Sequence, residues 1–257
     1  MTMVPVLPAS PGLSGNRFLD ALSAGSFSCI FPKLQEMLLS PGQVIAHPGV
    51  PIELVVFPRG SIISAVTRMR DGADVEVTVF GREGFYGLQV VLGDGIGSSE
   101  AMVQIGGRAY GLRTVDFAEC VREDPELRRC VLRYAQATLE AISQFSACNR
   151  LHPINERCAR WLLMAHDRVD GDEIFLTHEF LATMLGVRRP GVSLAAAALD
   201  KAGIIEYHRG HIIVRNRAGL EEIACECYDS ANDALDRLLG FDVRKRSTVS
   251  VPLRSIR

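Results

Sequence analysis

The chain has 257 residues, 47% of them hydrophobic and 23% charged, a balance that excludes wholesale disorder and leaves room for two domains with buried cores. A formal net charge of −2 excludes a general pull toward nucleic acid, so any such binding has to come from a local patch. No run of about eighteen apolar residues is present to span a membrane, and the opening MTMVPVLPASPGLSGNRF lacks the basic start and apolar stretch of a secretory signal, so a cytoplasmic protein is expected.

Residues 1–25, rich in Pro, Gly and Ser, read as a flexible N-terminal arm. From 26 to 115 the texture is that of β structure, with short apolar or alternating runs cut by SPGQ (40–43), HPG (47–49), PRG (58–60), GREG (81–84) and GDGIG (93–97). Asp71–Gly72 marks a hairpin, and Val75, Val77 and Val79 alternate with Glu76 and Thr78 as on a strand with one wet face. Strands at this spacing predict an antiparallel roll rather than βαβ units. After Thr114 the period becomes helical, with a break at Asp124–Pro125, and residues 116–150 form connecting helices. Val131, Ala135, Thr138, Ile142 and Phe145 recur at three- and four-residue steps, an apolar stripe that predicts a dimer interface along one long helix.

Residues 151–240 read as a helical head. Asn155 is placed as an N-cap just after Pro153, and Thr177 as the cap of the next helix, with Glu179 in its first turn. The stripe Phe180, Leu181, Met184 and Leu185 ends at Gly186. A second helix starts near Pro190, turns Val192, Ala195 or Ala196, and Leu199 inward, and stops at Gly203. IIEYHRGHIIV then folds as a hairpin around Arg209–Gly210, which completes a winged helix-turn-helix. Between 188 and 217 the cations Arg188, Arg189, Lys201, Arg209, Arg215 and Arg217 stand against Asp200 and Glu206, a local charge of +4 suited to phosphates. A helix over 219–239 follows. Residues 241–257 are a basic tail, with Arg244, Lys245, Arg246, Arg254 and Arg257, either solvated or laid along phosphates.

Other chemistry finds little support. An enzyme on a jelly roll needs clustered His and carboxylate ligands, but 40–112 hold one histidine, His47, so no catalytic residue is assigned. Cys29, Cys120, Cys130, Cys148, Cys158, Cys225 and Cys227 read as reduced thiols. The C-x-C pair at 225–227 has too few ligands for a zinc or iron–sulfur site, so no metal and no cofactor are expected, and a redox role for the pair is left open. A protein-interaction module whose winged helix no longer binds DNA stays as an alternative, because four alanines, 195–198, occupy the second helix.

The whole arrangement resembles the Crp/Fnr transcription regulators, over roughly 35–240. It is similar to a bacterial subgroup with GREGF-x-GL-x-x-VLG in the roll (81–93), LGVRR in the reading head (185–189), and GLE (219–221) with CECY (225–228) after the wing. The resemblance implies an α+β fold with an N-terminal antiparallel β-roll (jelly roll, cyclic-nucleotide-binding-like), a long central dimerisation helix and a C-terminal winged helix-turn-helix. It implies a homodimer on palindromic double-stranded DNA, with RNA polymerase and an unidentified small-molecule effector as further candidate partners. Carried over residue by residue, base contacts fall on Arg188, Arg189 and Ser193, and phosphate contacts on Asn155, Thr177, His178 and Arg209. Pro190 and Leu194 replace the Glu and second Arg with which members read bases, so the direct code is thin. The effector pocket is degenerate. Leu88 follows Gly87 where cyclic-nucleotide binders have Glu, and Ser99 and Glu100 occupy the region of the phosphate-binding Arg, so cyclic AMP is not expected. A repacked roll pocket gated by another small ligand is the alternative.

Overall fold

A computed structural model describes residues 4–5 and 14–244; most of the expected arm lies outside the described residues, as do Lys245, Arg246, Arg254 and Arg257 of the basic tail. Residues 14–25 of the expected arm are folded, and Ser14, Asn16, Phe18 and Leu19 are buried. Asn16 caps α1 (Arg17–Asp20), and its amide donates to the carbonyls of Pro58 and Gly84 at 2.9 and 2.8 Å. Phe18 is buried against Phe57, Phe85 and Tyr134, an aromatic anchor that outweighs the loop-like composition around it. The short α2 (Ala24–Ile30) follows.

The roll is made of β1 (Val4–Pro5), β2 (Gln35–Leu39), β3 (Val44–Ala46), β4 (Leu54–Pro58), β5 (Ile62–Arg68), β6 (Asp74–Phe80), β7 (Glu100–Ile105) and β8 (Gly107–Arg113), with α3 (Gln89–Leu92) before β7. Two antiparallel sheets, ordered β1-β2-β8-β4 and β3-β7-β5-β6, enclose Met37, Val56, Ile63, Phe80, Tyr86 and Val103. The β5–β6 hairpin turns where Asp71–Gly72 predicts it, and Asp71 accepts from the Ala73 amide at 3.0 Å. The wet face expected on β6 is covered: the Glu76 carboxylate accepts a hydrogen bond from the Trp161 indole at 3.0 Å, which an alternating pattern alone cannot foretell.

α4 (Thr114–Glu123) ends at Asp124, whose carboxylate accepts from the amides of Glu126 and Leu127 and so caps the 27-residue α5 (Pro125–Leu151). The predicted dimer stripe needs correction. Val131 and Ala135 are buried with the roll and α1, and Phe145 is buried with the head, so the chain itself consumes most of that face. Thr138 and Ile142 are only partly exposed on the same side. The large apolar side chains that α5 leaves in solvent are Leu132, Leu139 and Leu151.

The head comprises α6 (Ile154–Arg168), β9 (Glu173–Phe175), α7 (His178–Leu185), α8 (Arg189–Lys201), β10 (Ile205–His208), β11 (His211–Val214) and α9 (Arg217–Ile223). The single helix expected over 219–239 is two: after a break at 224–226, α10 (Cys227–Leu239) turns back along α5, and Leu235 joins the core around Val131 and Tyr134. Among the described residues no helix is long and apolar enough to cross a membrane.

Candidate nucleic-acid interface

The reading head is built from α7, a tight turn and α8. The Thr177 hydroxyl accepts from the Phe180 amide at 3.3 Å and caps α7. Gly186 closes that helix in the left-handed region, φ 61°, and the chain restarts through extended Arg188 into α8, with Pro190 in its first turn. Val192, Ala195, Ala196 and Leu199 pack inward among Leu181, Met184 and Leu185. The small alanines let the two helices approach, so their number follows from packing. The opposite face presents Arg188, Arg189, Pro190, Leu194 and Lys201 to solvent, with Leu194 74% exposed.

The wing joins β10, β11 and β9 into one antiparallel sheet. Its turn uses two residues of positive φ, Arg209 at 47° and Gly210 at 86°, as a two-residue hairpin requires. Arg209 thereby stands exposed at the tip. Asn155 is the second residue of α6 and not its cap; Pro153 takes that position because it holds extended backbone ahead of the helix. Asn155 is exposed beside the start of α8, since Ile154 Cδ1 lies 3.0 Å from where a Gly191 side chain would begin.

Two expectations change. The Ser193 hydroxyl and His178 Nδ1 are 3.1 Å apart, and the imidazole stacks on Tyr207 with centroids 4.1 Å apart. The Ser193 hydroxyl, expected at a base, is thus engaged within the head. Burial, aided by the Arg189 charge, holds His178 below the ordinary imidazole value. The local charge is also smaller than the count of cations implies. Arg215 pairs with Glu206 across the wing at 2.6 Å. Arg217 turns inward to buried Asp167 at 2.8 Å and donates to the Tyr228 hydroxyl at 2.6 Å. Arg188, Lys201 and Arg209 remain exposed, while Arg189 has Glu179 at 3.6 Å.

In the roll, Leu88 packs with Phe117 and Val55 in the core shared with the helices, and a side chain at Gly87 would meet Val55 at 3.2 Å. Ser99 is buried, and Glu100 faces His47 at 3.6 Å. No cation stands among these four positions for an anionic ligand.

The C-x-C pair has more donors around it than its own spacing supplies, which corrects the expectation of too few ligands. Cys148, His152, Cys225 and Cys227 converge, with their donor atoms all within 4.8 Å of one another. The signal available in the sequence was the i, i+4 spacing of Cys148 and His152 on one helix face, far in the chain from the pair.

The chain thus joins a roll, a long helix and a winged helix-turn-helix whose second helix has an exposed, basic start. Residues 156–223 match the family model of the Crp-like helix-turn-helix domain. The fold is similar to that of a CRP-family transcriptional regulator from Thermus thermophilus, at 19% identity over 73% of this chain and 96% of that one, with a TM-score of 0.61. It is similar to FixK2 from Bradyrhizobium japonicum, at 16% identity over 75% and 98% of the two chains, with a TM-score of 0.60. Another Thermus thermophilus regulator, of the CRP/FNR family, gives 20% identity over 74% and 97%, with a TM-score of 0.58. No curated protein matches the sequence.

Proposed function

We propose that the protein is a sequence-specific DNA-binding transcription regulator, active as a homodimer that lays α8 of each copy in successive major grooves of a palindromic site. The observation that carries this reading is the geometry of the head. Arg188 and Arg189 at the start of α8, Asn155 at the N-terminus of α6 and Arg209 at the wing tip all stand exposed to solvent. A cationic helix start, a helix N-terminus and a flanking wing are what a duplex needs for base readout and phosphate anchoring. Pro190 and Leu194 on the same face leave direct readout to the two arginines, with thymine methyl contact and DNA shape as further sources of specificity.

The second copy docks along the outer face of α5, where Leu132, Gln136, Leu139 and Ser143 follow a four-three-four spacing. The roll does not hold cyclic AMP, because a buried or half-buried phosphate without a cation and beside Glu100 is unfavourable. Selection of bound duplexes from a random pool tests the reading: a palindrome with half-sites about one helical turn apart is expected. Absence of salt-dependent duplex binding in fluorescence anisotropy would overturn it.

A further inference from the structure

We propose that Cys148, His152, Cys225 and Cys227 form a four-coordinate site for one thiolate-preferring divalent cation, zinc by its chemistry, which fastens the reading head to the end of the long helix. Cys148 and His152 lie one turn apart at the end of α5, and Cys225 and Cys227 flank the start of α10. Cys148 Sγ and Cys225 Sγ are 3.5 Å apart, as are Cys227 Sγ and His152 Nδ1. A tetrahedral ion with bonds of about 2.0–2.3 Å holds its ligand atoms about 3.3–3.8 Å from one another, so these separations suit a single ion. An iron–sulfur cluster places irons and bridging sulfides between its thiolates and needs them spread wider than the 4.8 Å limit seen here.

The surroundings supply the outer contacts that such a site uses. The Glu226 carboxylate lies 3.3 Å from His152 Nε2, which leaves Nδ1 directed at the sulfurs. The Gln144 amide donates to Cys227 Sγ at 3.1 Å, a contact that favours the thiolate. The three cysteines are buried and His152 is half-buried, and three sulfurs with one imidazole fill all four positions, the mark of a structural rather than a catalytic centre. The location gives the site its consequence. His152 and Pro153 link α5 to α6, and the ion would clamp the junction of α9 and α10 to that link. Binding would release the thiol protons, and its energy would be folding energy for the head's attachment.

The test uses the full chain isolated under reducing conditions. Elemental analysis by mass spectrometry is expected to give one zinc per chain. Cobalt(II) added to the metal-stripped protein is expected to give thiolate charge-transfer and tetrahedral d–d bands that saturate at one equivalent. Cys225→Ser and His152→Ala should each remove or shift those bands, while Cys29→Ser and Cys130→Ser should not. Should the site variants fail to fold, the wild-type cobalt titration decides alone. A protein that carries no metal and develops no tetrahedral bands overturns the proposal.

Discussion

Glu83 of the roll and Arg168 at the end of α6 form an ion pair at 2.9 Å with side chains only 4% and 5% exposed. The neighbours in GREG complete the same junction. The Arg82 guanidinium donates to the Arg168 carbonyl at 2.9 Å and to Asp170 at 2.6 Å. Gly84 lies against Tyr134 of α5, whose hydroxyl bonds the amide and carbonyl of Phe85. A roll motif thus binds both the long helix and the reading head. Arg168→Met would leave Glu83 buried and unpaired, and a loss of about 3–5 kcal/mol in urea unfolding is expected. The double variant Glu83→Gln with Arg168→Met should lose less than that single change, because neither charge is then stranded.

Gly84→Ala tests the other half of the junction. The added carbon would sit 2.1 Å from the Tyr134 ring, so the buried ring would have to leave its place beside Phe18 and Phe85. A loss of at least about 2 kcal/mol is expected by thermal or urea unfolding. Combination with Tyr134→Ala should recover part of the loss if the clash is its origin.

Glu76 joins the roll to the head through Trp161 and should make that contact pH-sensitive. Burial pushes its carboxyl up to about 7, against hydrogen bonds from Ser64 and Trp161 and the charges of Arg160 and Arg168. Between the ordinary value of 4.5 and about 7 the folded chain keeps a proton that the unfolded chain has released. Its contribution to stability therefore falls as pH rises through this window. Glu76→Gln removes the titration, so the difference in Tm between variant and wild type should grow in the variant's favour from pH 5 to pH 8. A difference that stays constant with pH would count against this assignment.

On the DNA-facing side, Arg189→Ala should cost about 1–3 kcal/mol of discrimination at one base pair in anisotropy with matched and mismatched sites. Arg209→Ala should weaken binding to all duplexes and lower the log–log salt slope by about 1. Ser193→Ala should leave base preference unchanged, because that hydroxyl is held by His178.

Glu179→Gln bears on the same surface. Its carboxylate lies 3.6 Å from Arg189, with both side chains largely exposed, and repels approaching phosphates. Its removal should tighten duplex binding about two- to fivefold at low salt, an effect that fades as salt screens the pair.

Periodicity and punctuation alone determined the β-roll, the long helix after the Asp124–Pro125 break, the Thr177 cap, the Gly186 stop and the Arg209–Gly210 wing turn, because each depends on a few residues near one another in the chain. The two arginines at the start of α8 were legible for the same reason. Which face of a helix meets which partner was not. Val131, Ala135 and Phe145 repeat as a dimer stripe would, yet apolar spacing carries no label for its partner, and the roll and head took that face. Charge counting likewise gave +4, while Arg215 meets Glu206 only across the folded wing and Arg217 meets buried Asp167 only once α9 packs on α6. The gathering of Cys148 and His152 with Cys225 and Cys227 needed α10 to turn back on α5, a long-range contact fixed by burial of Leu235 and its neighbours and by no local signal.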